Sequence, residues 1–277
     1  MQAETDSSLE IRTFGGVEIY HVGRRVHIRG RKAIALLLYL VVERHQRHSR
    51  ESLLGLLWPE MNDRDARNNL RVVQAQLRRK LVVKDGATPY VASDRHNVWF
   101  EDNGRSAVDF WTFQDLLTRC QVHIHADRRS CPECRQRLVE ATNLYTGDFL
   151  ADFHVASCPA FDEWLYVWRE RMHIQVLSLL AFARRQIELD PLQEASHRDL
   201  MRLYDRQNKR PQALAQFDTL RKILQQELGV KPDAETVSLW QLIKGSTQPG
   251  AEHSASAVTG IHNLPENTTP FIGREEE

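Results

Sequence analysis

Residues Glu194 to Thr236 read EASHRDLMRLYDRQNKRPQALAQFDTLRKILQQELGVKPDAET, and this stretch decides the fold of the C-terminal half of the chain. Ala195, Leu200, Leu203 and Tyr204 form one apolar stripe at helical spacing. Ala213, Leu214, Phe217, Leu220, Ile223 and Leu224 form the next. The polar residues Gln207–Lys209 separate the two stripes, so the stretch is two amphipathic helices joined by a short turn. One isolated hairpin cannot cover both stripes, which requires neighbouring helices on either side.

The helical pattern extends both ways from this hairpin. From Ser106 onward every segment reads helical, with helices at Val108–Gln121, Cys134–Tyr145, Pro159–Leu189, Glu194–Gln207, Pro211–Leu228 and Asp233–Ile243. GDFLADF at Gly147–Phe153 is a turn between two of them. The first hundred residues read differently. After a loose tail at 1–8, Leu9–Phe14, Val17–Tyr20 and Arg25–Ile28 alternate or carry β-branched residues, punctuated by Gly15-Gly16 and Gly23. Helices follow at Arg31–Glu43, at Arg50–Leu57 with Ser49 as N-cap and Pro59 just beyond, and at Asp63–Val82. Tyr90–Val91 and Val98–Phe100 close the region as a hairpin around Ser93–Asn97. Residues 245–263 are rich in Gly, Ser, Ala and His without apolar periodicity, the composition of a flexible linker.

The residues of 194–236 resemble a tetratricopeptide-like hairpin and, more narrowly, the bacterial transcriptional activator domain (BTAD) of SARP/AfsR-like regulators. LRKILQQELGVKPDAET is close to that family's characteristic ending, and GDFLADF matches its pattern. The resemblance implies a DNA-binding winged helix upstream. The order β-β-β-α-α-α-β-β then reads as an OmpR-type winged helix over 9–101, followed by an all-α tetratricopeptide-like domain over 102–244. The terminal NLPENTTPFIGREEE resembles the entry to a STAND-type ATPase domain, although the chain holds no G-x-x-x-x-G-K-[ST] phosphate loop. The expectation is the N-terminal part of a larger regulator, with 245–277 as linker and the start of the ATPase. One departure stands out. The family has a Gly-Asp turn and another helix between segments like Met172–Leu180 and Ala181–Pro191, whereas SLLAFARRQIELDP runs straight through here. Either one long helix replaces two, or residues have been deleted.

An apolar fraction of 42% with 27% charged residues is that of an ordinary globular chain. The zero net charge hides an asymmetry: residues 9–101 hold 17 Lys and Arg against 10 Asp and Glu, and the remainder carries the opposite excess. A basic first part suggests an anionic partner for it. The longest apolar run, Ala33–Val42, is far shorter than the roughly 18–20 residues that span a bilayer, and MQAETDSS is no signal peptide. The expected location is cytoplasmic, away from membranes, where four cysteines argue for metal or free thiols over disulfides.

The third helix carries the sharpest chemistry. Ala66, Leu70, Val73, Leu77 and Leu81 fall on one face, with Arg64, Arg67, Asn68, Arg71, Gln74 and Arg78 opposite. Arg reads guanine, and Asn or Gln reads adenine, by paired hydrogen bonds in the major groove of double-stranded DNA. A merely solvated face would mix acids among these residues, and none follows Asp65. Phosphate contacts are expected from Arg24, Arg25, Arg29, Arg31 and Lys32 before the first helix, Arg50 at the start of the second and Arg95 at the wing tip. Arg78-Arg79-Lys80 suits either phosphate or the helix C-terminus. Trp58 and Trp99 read as core residues, and Cys158 and His154 as packing residues.

The second feature is Cys120-x2-His123-x-His125-x5-Cys131-x2-Cys134. Tetrahedral zinc takes four thiolate and imidazole ligands, commonly as two close pairs. Cys120, His123, Cys131 and Cys134 fit that pattern, with His125 competing for the imidazole position. A thioredoxin-like use of CxxC would need a strand before the helix, and the context is helical. With all positions filled the zinc is structural. No nucleophile elbow, H-E-x-x-H or dinucleotide fingerprint is present, so no enzyme activity is expected of this chain. The reading is a transcriptional activator. Its helical domain makes a homodimer or other partner contacts, and the resemblance adds RNA polymerase as a partner. The rival reading is the signalling arm of a STAND ATPase that does not read DNA.

Overall fold

The computed structural model describes residues 9–82, 89–102, 104–123 and 131–245. Strand β1 (Leu9–Arg12) pairs antiparallel with β2 (Glu18–His21), Leu9 opposite His21 and Arg12 opposite Glu18, and β2 pairs with the two-residue β3 (Arg24–Arg25). Val22 and Gly23 make the β2–β3 turn with both φ angles positive, the twist-matched geometry of a two-residue hairpin. Leu9 and Ile11 point inward and are fully buried, as strand alternation requires. They belong to the same core as α1 (Arg31–Val42), whose Ala35–Leu38 and Leu40–Val41 are fully buried.

After α1 come β4 (His48–Ser49), α2 (Arg50–Leu57) and α3 (Asp63–Lys80). Ser49 Oγ accepts from the Ser52 N–H at 3.0 Å, the N-cap expected from sequence. Asn62 caps α3 in the same way at 3.0 Å, with Asp63 and Asp65 in the first turn and Arg78, Arg79 and Lys80 in the last. That charge order favours the helix dipole at both ends. A hairpin of β5 (Val91–Ser93) and β6 (Asn97–Phe100) forms the wing, with β4 on its other side. The Asp94 carboxylate closes the wing turn by accepting from the backbone N–H of His96 at 2.7 Å and Asn97 at 2.6 Å.

Two strands escape the sequence reading. β4 was not anticipated, and β7 (Ser106–Val108) lies where the pattern reads as helix. β7 adds parallel to β1, giving the order β3-β2-β1-β7, and leads directly into α4 (Asp109–Val122). The third strand is also shorter than the expected Arg25–Ile28. Two aromatic and polar placements need correction. Trp99 is half-buried, with the Arg47 guanidinium 4.2 Å above its ring and its Nε1 donating to Glu101 at 2.7 Å, because it faces outward on a two-sided wing strand. His154 is exposed and bonded to Arg31, whereas Trp58 and Cys158 are buried as expected.

The helical region continues with α5 (Pro132–Leu144), α6 (Pro159–Leu189), α7 (Glu194–Arg206), α8 (Arg210–Glu227) and α9 (Ala234–Gly245). α6 is a single helix of 31 residues, about 46 Å long, so one long helix stands where the resemblance implied two. Phe217 of α8 stacks on Trp240 of α9 with ring centroids 5.0 Å apart.

The winged-helix and helical lobes share one apolar core, and the residues up to Lys244 form one compact unit. Asp109, the first residue of α4, accepts from the backbone N–H of Thr13 and Phe14, from Thr13 Oγ1 at 2.7 Å and from the Phe110 N–H at 2.7 Å. Burial pushes its carboxyl above the usual range, and these hydrogen bonds oppose the shift. Beside it the turn at 146–150 pairs with 13–15: Leu150 N–H donates to Thr13 O at 2.7 Å and Gly15 N–H to Asp148 O at 3.1 Å. A methyl group at Gly147 would lie 2.8 Å from the Gly15 Cα, so this approach requires glycine. On the other side of α1, Trp111 Nε1 donates to Val41 O at 2.9 Å. The Nε1 groups of Trp164 and Trp168 both donate to Glu43 Oε1, at 2.9 and 3.0 Å.

Candidate functional site

The opposite side of the winged helix is open. The N-terminus of α2, the outer face of α3 and the wing turn Asp94–His96 bound a concave groove of about 700 Å³. Five guanidinium groups line it, those of Arg50, Arg67, Arg71, Arg78 and Arg95, against the carboxylates of Glu51 and Asp94. Backbone N–H groups of Asn97 and His96 hold the Asp94 carboxyl below its usual range.

Arg64, Arg67, Asn68 and Arg71 are all exposed on α3, and of the four Arg67 and Arg71 line the groove. Arg67 meets Asp63 one turn earlier at 3.1 Å, an exposed pair of the kind that contributes little. Arg71 sits one turn further along, between Arg67 and Arg78. Arg95 projects from the wing turn and is exposed.

Five residues take places other than those expected. Gln74 is only 4% exposed and forms the floor of the groove, its Oε1 accepting from Arg50 at 3.3 Å. It lies four residues after Leu70 and three before Leu77, so the helix turns it toward their buried side. Arg78 ties α3 to the wing, its Nε donating to Val91 O at 2.9 Å and its Nη2 to Ser93 Oγ at 2.7 Å. Arg50 does the same for α2, donating to Asp94 O at 3.0 Å. Both keep their charge at the groove while fixing its walls. Arg31 and Lys32 do not line it. Arg31 donates across to His154 O of the helical lobe at 3.1 Å, and Lys32 lies 5.8 Å from the Trp58 ring within the winged helix. The sequence reading gave no role to Val72 or His96. Val72 is 56% exposed beside Arg71 on α3, and His96 lines the groove. An exposed valine amid arginines on a polar helix face is the signal that could have marked the first.

A second cluster lies at the closed end of the α4–α5 hairpin. His123 caps α4, and Cys131 caps the start of α5 with Cys134 in its first turn. His123 Nδ1 is 3.2 Å from Cys134 Sγ and 3.6 Å from Cys131 Sγ. Their donor atoms all lie within 4.8 Å of one another, so this group can hold a metal ion. Cys120 is buried one turn before His123, with its Sγ 3.7 Å from Cys134 O. Burial first, then the neighbouring Cys131 and Cys120, push the Cys134 thiol up to about 11. A metal ion entering here would displace thiol protons. His125 falls outside the described residues.

Among the described residues no helix is long and apolar enough to cross a membrane. Residues 108–244 match the family model of the bacterial transcriptional activator domain. No curated protein matches the chain in sequence. Among solved structures, the chain is similar to Mycobacterium tuberculosis EmbR in complex with low affinity phosphopeptide, at 18% identity and a TM-score of 0.48. That alignment covers 86% of this chain and 65% of the EmbR chain.

Proposed function

We propose, on the premise that residues 108–244 carry a bacterial transcriptional activator domain, that this chain is the DNA-reading part of a transcriptional regulator. The observation that carries the proposal is the groove of α2, α3 and the wing, where five guanidinium groups converge around an exposed helix face. An α-helix fits the major groove of B-form DNA. On this reading Arg64, Arg67, Asn68 and Arg71 of α3 face base edges and neighbouring phosphates. Arg50, Arg78 and Arg95 meet the sugar-phosphate backbone on either side, where contacts set register without reading sequence. Gln74 supports Arg50 from below and reads nothing directly. The helical lobe presents the surfaces for other proteins, RNA polymerase among them by family resemblance. The Cys and His cluster holds a structural zinc ion.

Titration of the chain against a random duplex pool, and against sequences selected from that pool, at several salt concentrations tests this. Binding is expected to fall steeply with salt, with a slope of about −0.9 per phosphate neutralised. Selected sequences are expected to bind at least about 1,000-fold tighter than the pool. If the double variant Arg67→Ala/Arg71→Ala binds duplex as well as the unaltered chain, the groove is not a DNA site. The chain is then the non-reading signalling arm of a larger assembly.

A further inference from the structure

The α4–α5 hairpin brings two i,i+3 pairs face to face, Cys120 with His123 at the end of one helix and Cys131 with Cys134 at the start of the next. His123 and Cys131 are extended cap residues, and the cap geometry brings their donor atoms together with the Cys134 sulfur. The separations can be compared with tetrahedral zinc. Zn–S of about 2.3 Å and Zn–N of about 2.0–2.1 Å place neighbouring sulfur and nitrogen ligands about 3.6 Å apart. The His123 Nδ1 distances of 3.2 and 3.6 Å to the two sulfurs bracket that value. The imidazole therefore turns Nδ1 toward the thiols. Its other nitrogen, Nε2, lies 3.7 Å from Glu133 Oε2, on the far side of the ring. Glu133 is in turn held by Arg137 at 3.0 Å.

We infer that Cys120, His123, Cys131 and Cys134 hold one zinc ion in a closed centre of three sulfurs and one nitrogen, with His123 ligating through Nδ1 and Glu133 orienting it. The inference rests on reading the cluster as a metal site and adds the ligand atoms, the fourth ligand and the orienting carboxylate. Thiolate and imidazole donors select zinc over the oxygen-seeking cations. Cys120 supplies the fourth ligand because it is buried at the same end of the hairpin, its Sγ 3.7 Å from the Cys134 carbonyl oxygen; it stands outside the converged group of His123, Cys131 and Cys134 and closes on the ion when it binds. Four protein ligands leave no open position for water, so the ion is structural and ties α4 to α5. At 3.7 Å the Glu133 carboxylate stands just beyond hydrogen-bond reach of Nε2, and closing that gap on metal binding would fix the proton there and favour Nδ1 as the ligand.

The test uses the full chain purified without chelator. Elemental analysis is expected to give one zinc per chain. Cobalt(II) substitution is expected to give the visible bands of a tetrahedral site and near-ultraviolet charge transfer from three thiolates. Cys120→Ser should remove one thiolate's share of that charge transfer, while His125→Asn should leave stoichiometry and spectrum unchanged. Glu133→Gln should keep one zinc per chain but weaken its hold about 10–100-fold in chelator competition. It avoids the ligands themselves, so it reads the site even if a cysteine variant fails to fold. Loss of metal in His125→Asn with retention in Cys120→Ser overturns the ligand set and leaves the metal reading standing. Unchanged zinc affinity in Glu133→Gln overturns the orienting role. A chain that takes up neither zinc nor cobalt overturns the metal reading as well.

Discussion

α3 and α7 are both arginine-rich helices, and the structure uses them in opposite ways. Arg64, Arg67 and Arg71 recur along α3 at the same three-to-four-residue spacing as Arg198, Arg202 and Arg206 along α7. On α3 the three are exposed, and Arg67 and Arg71 line a groove. On α7 they are drawn into the protein. Arg198, with its side chain 12% exposed, meets Asp233 at 2.7 Å and Glu235 at 3.1 Å. Arg202 bridges Asp199 at 3.2 Å and Glu235 at 3.3 Å, and Arg206 donates to Thr142 O on α5. Burial lowers the Arg206 pKa and raises that of Asp199, as expected for charges withdrawn from water. Cationic spacing on a helix does not distinguish a ligand face from a structural seam. What decides is whether the fold brings acids from elsewhere in the chain, as it brings Asp233 and Glu235 to α7.

The contrast can be broken most directly at α3. Arg67→Ala/Arg71→Ala should weaken duplex binding by at least about 30-fold, since an arginine bonded to a base edge is worth about 1–3 kcal/mol. Its urea midpoint should stay within about 0.5 kcal/mol of the parent, as for surface changes generally. A double variant that unfolds would place these arginines with those of α7. Arg198→Ala should give the reverse pattern. It should lose about 1–3 kcal/mol of stability in urea titration, because buried charge-assisted hydrogen bonds are removed, with duplex affinity unchanged once folded. Arg78→Ala should fall between them. Loss of two hydrogen bonds to the wing should lower stability by about 1–2 kcal/mol and duplex affinity by about 10-fold, and measuring both on one preparation sharpens the boundary.

The smallest effect concerns pH. His197 of α7 is fully buried, bonded to Pro191 O at 3.0 Å and to Gln216 at 2.7 Å, and burial lowers its pKa. Burial lowers the pKa of His21 and His48 as well. The unfolded chain then binds these protons more readily than the native one, so stability falls as pH drops below the ordinary histidine value of about 6.5. Melting curves at pH 7.5 and 5.5 should show a lower midpoint at the acid end, with a smaller difference in His197→Gln. A midpoint that rises on acidification would contradict the assignment.

Much of this arrangement is legible in the linear chain where the signal is local. Ser49 before an apolar run marks a cap, and α2 and α6 begin and end where their patterns do. Paired Cys and His at i,i+3 mark candidate metal ligands, and His123, Cys131 and Cys134 do converge to a group that could hold an ion. The BTAD resemblance and the family match over 108–244 agree. The misses share one cause, which is that the deciding partner lies far away. Ser106–Val108 has no period of its own and becomes a strand only because β1 offers a free edge. Arg31 looks like its arginine neighbours until His154, 123 residues on, takes its guanidinium. Gln74 is a different kind of miss. Its offsets from Leu70 and Leu77 were visible, and its polarity outweighed its position.

The Asp109 clasp has a mechanical corollary. Because one carboxylate is shared by the residues just after β1 and the start of α4, and glycine meets glycine alongside, the winged helix and the lobe behind it are bonded directly to each other at this point. A displacement at the start of α4 would therefore be felt first at Thr13 and Phe14, and through them along β1.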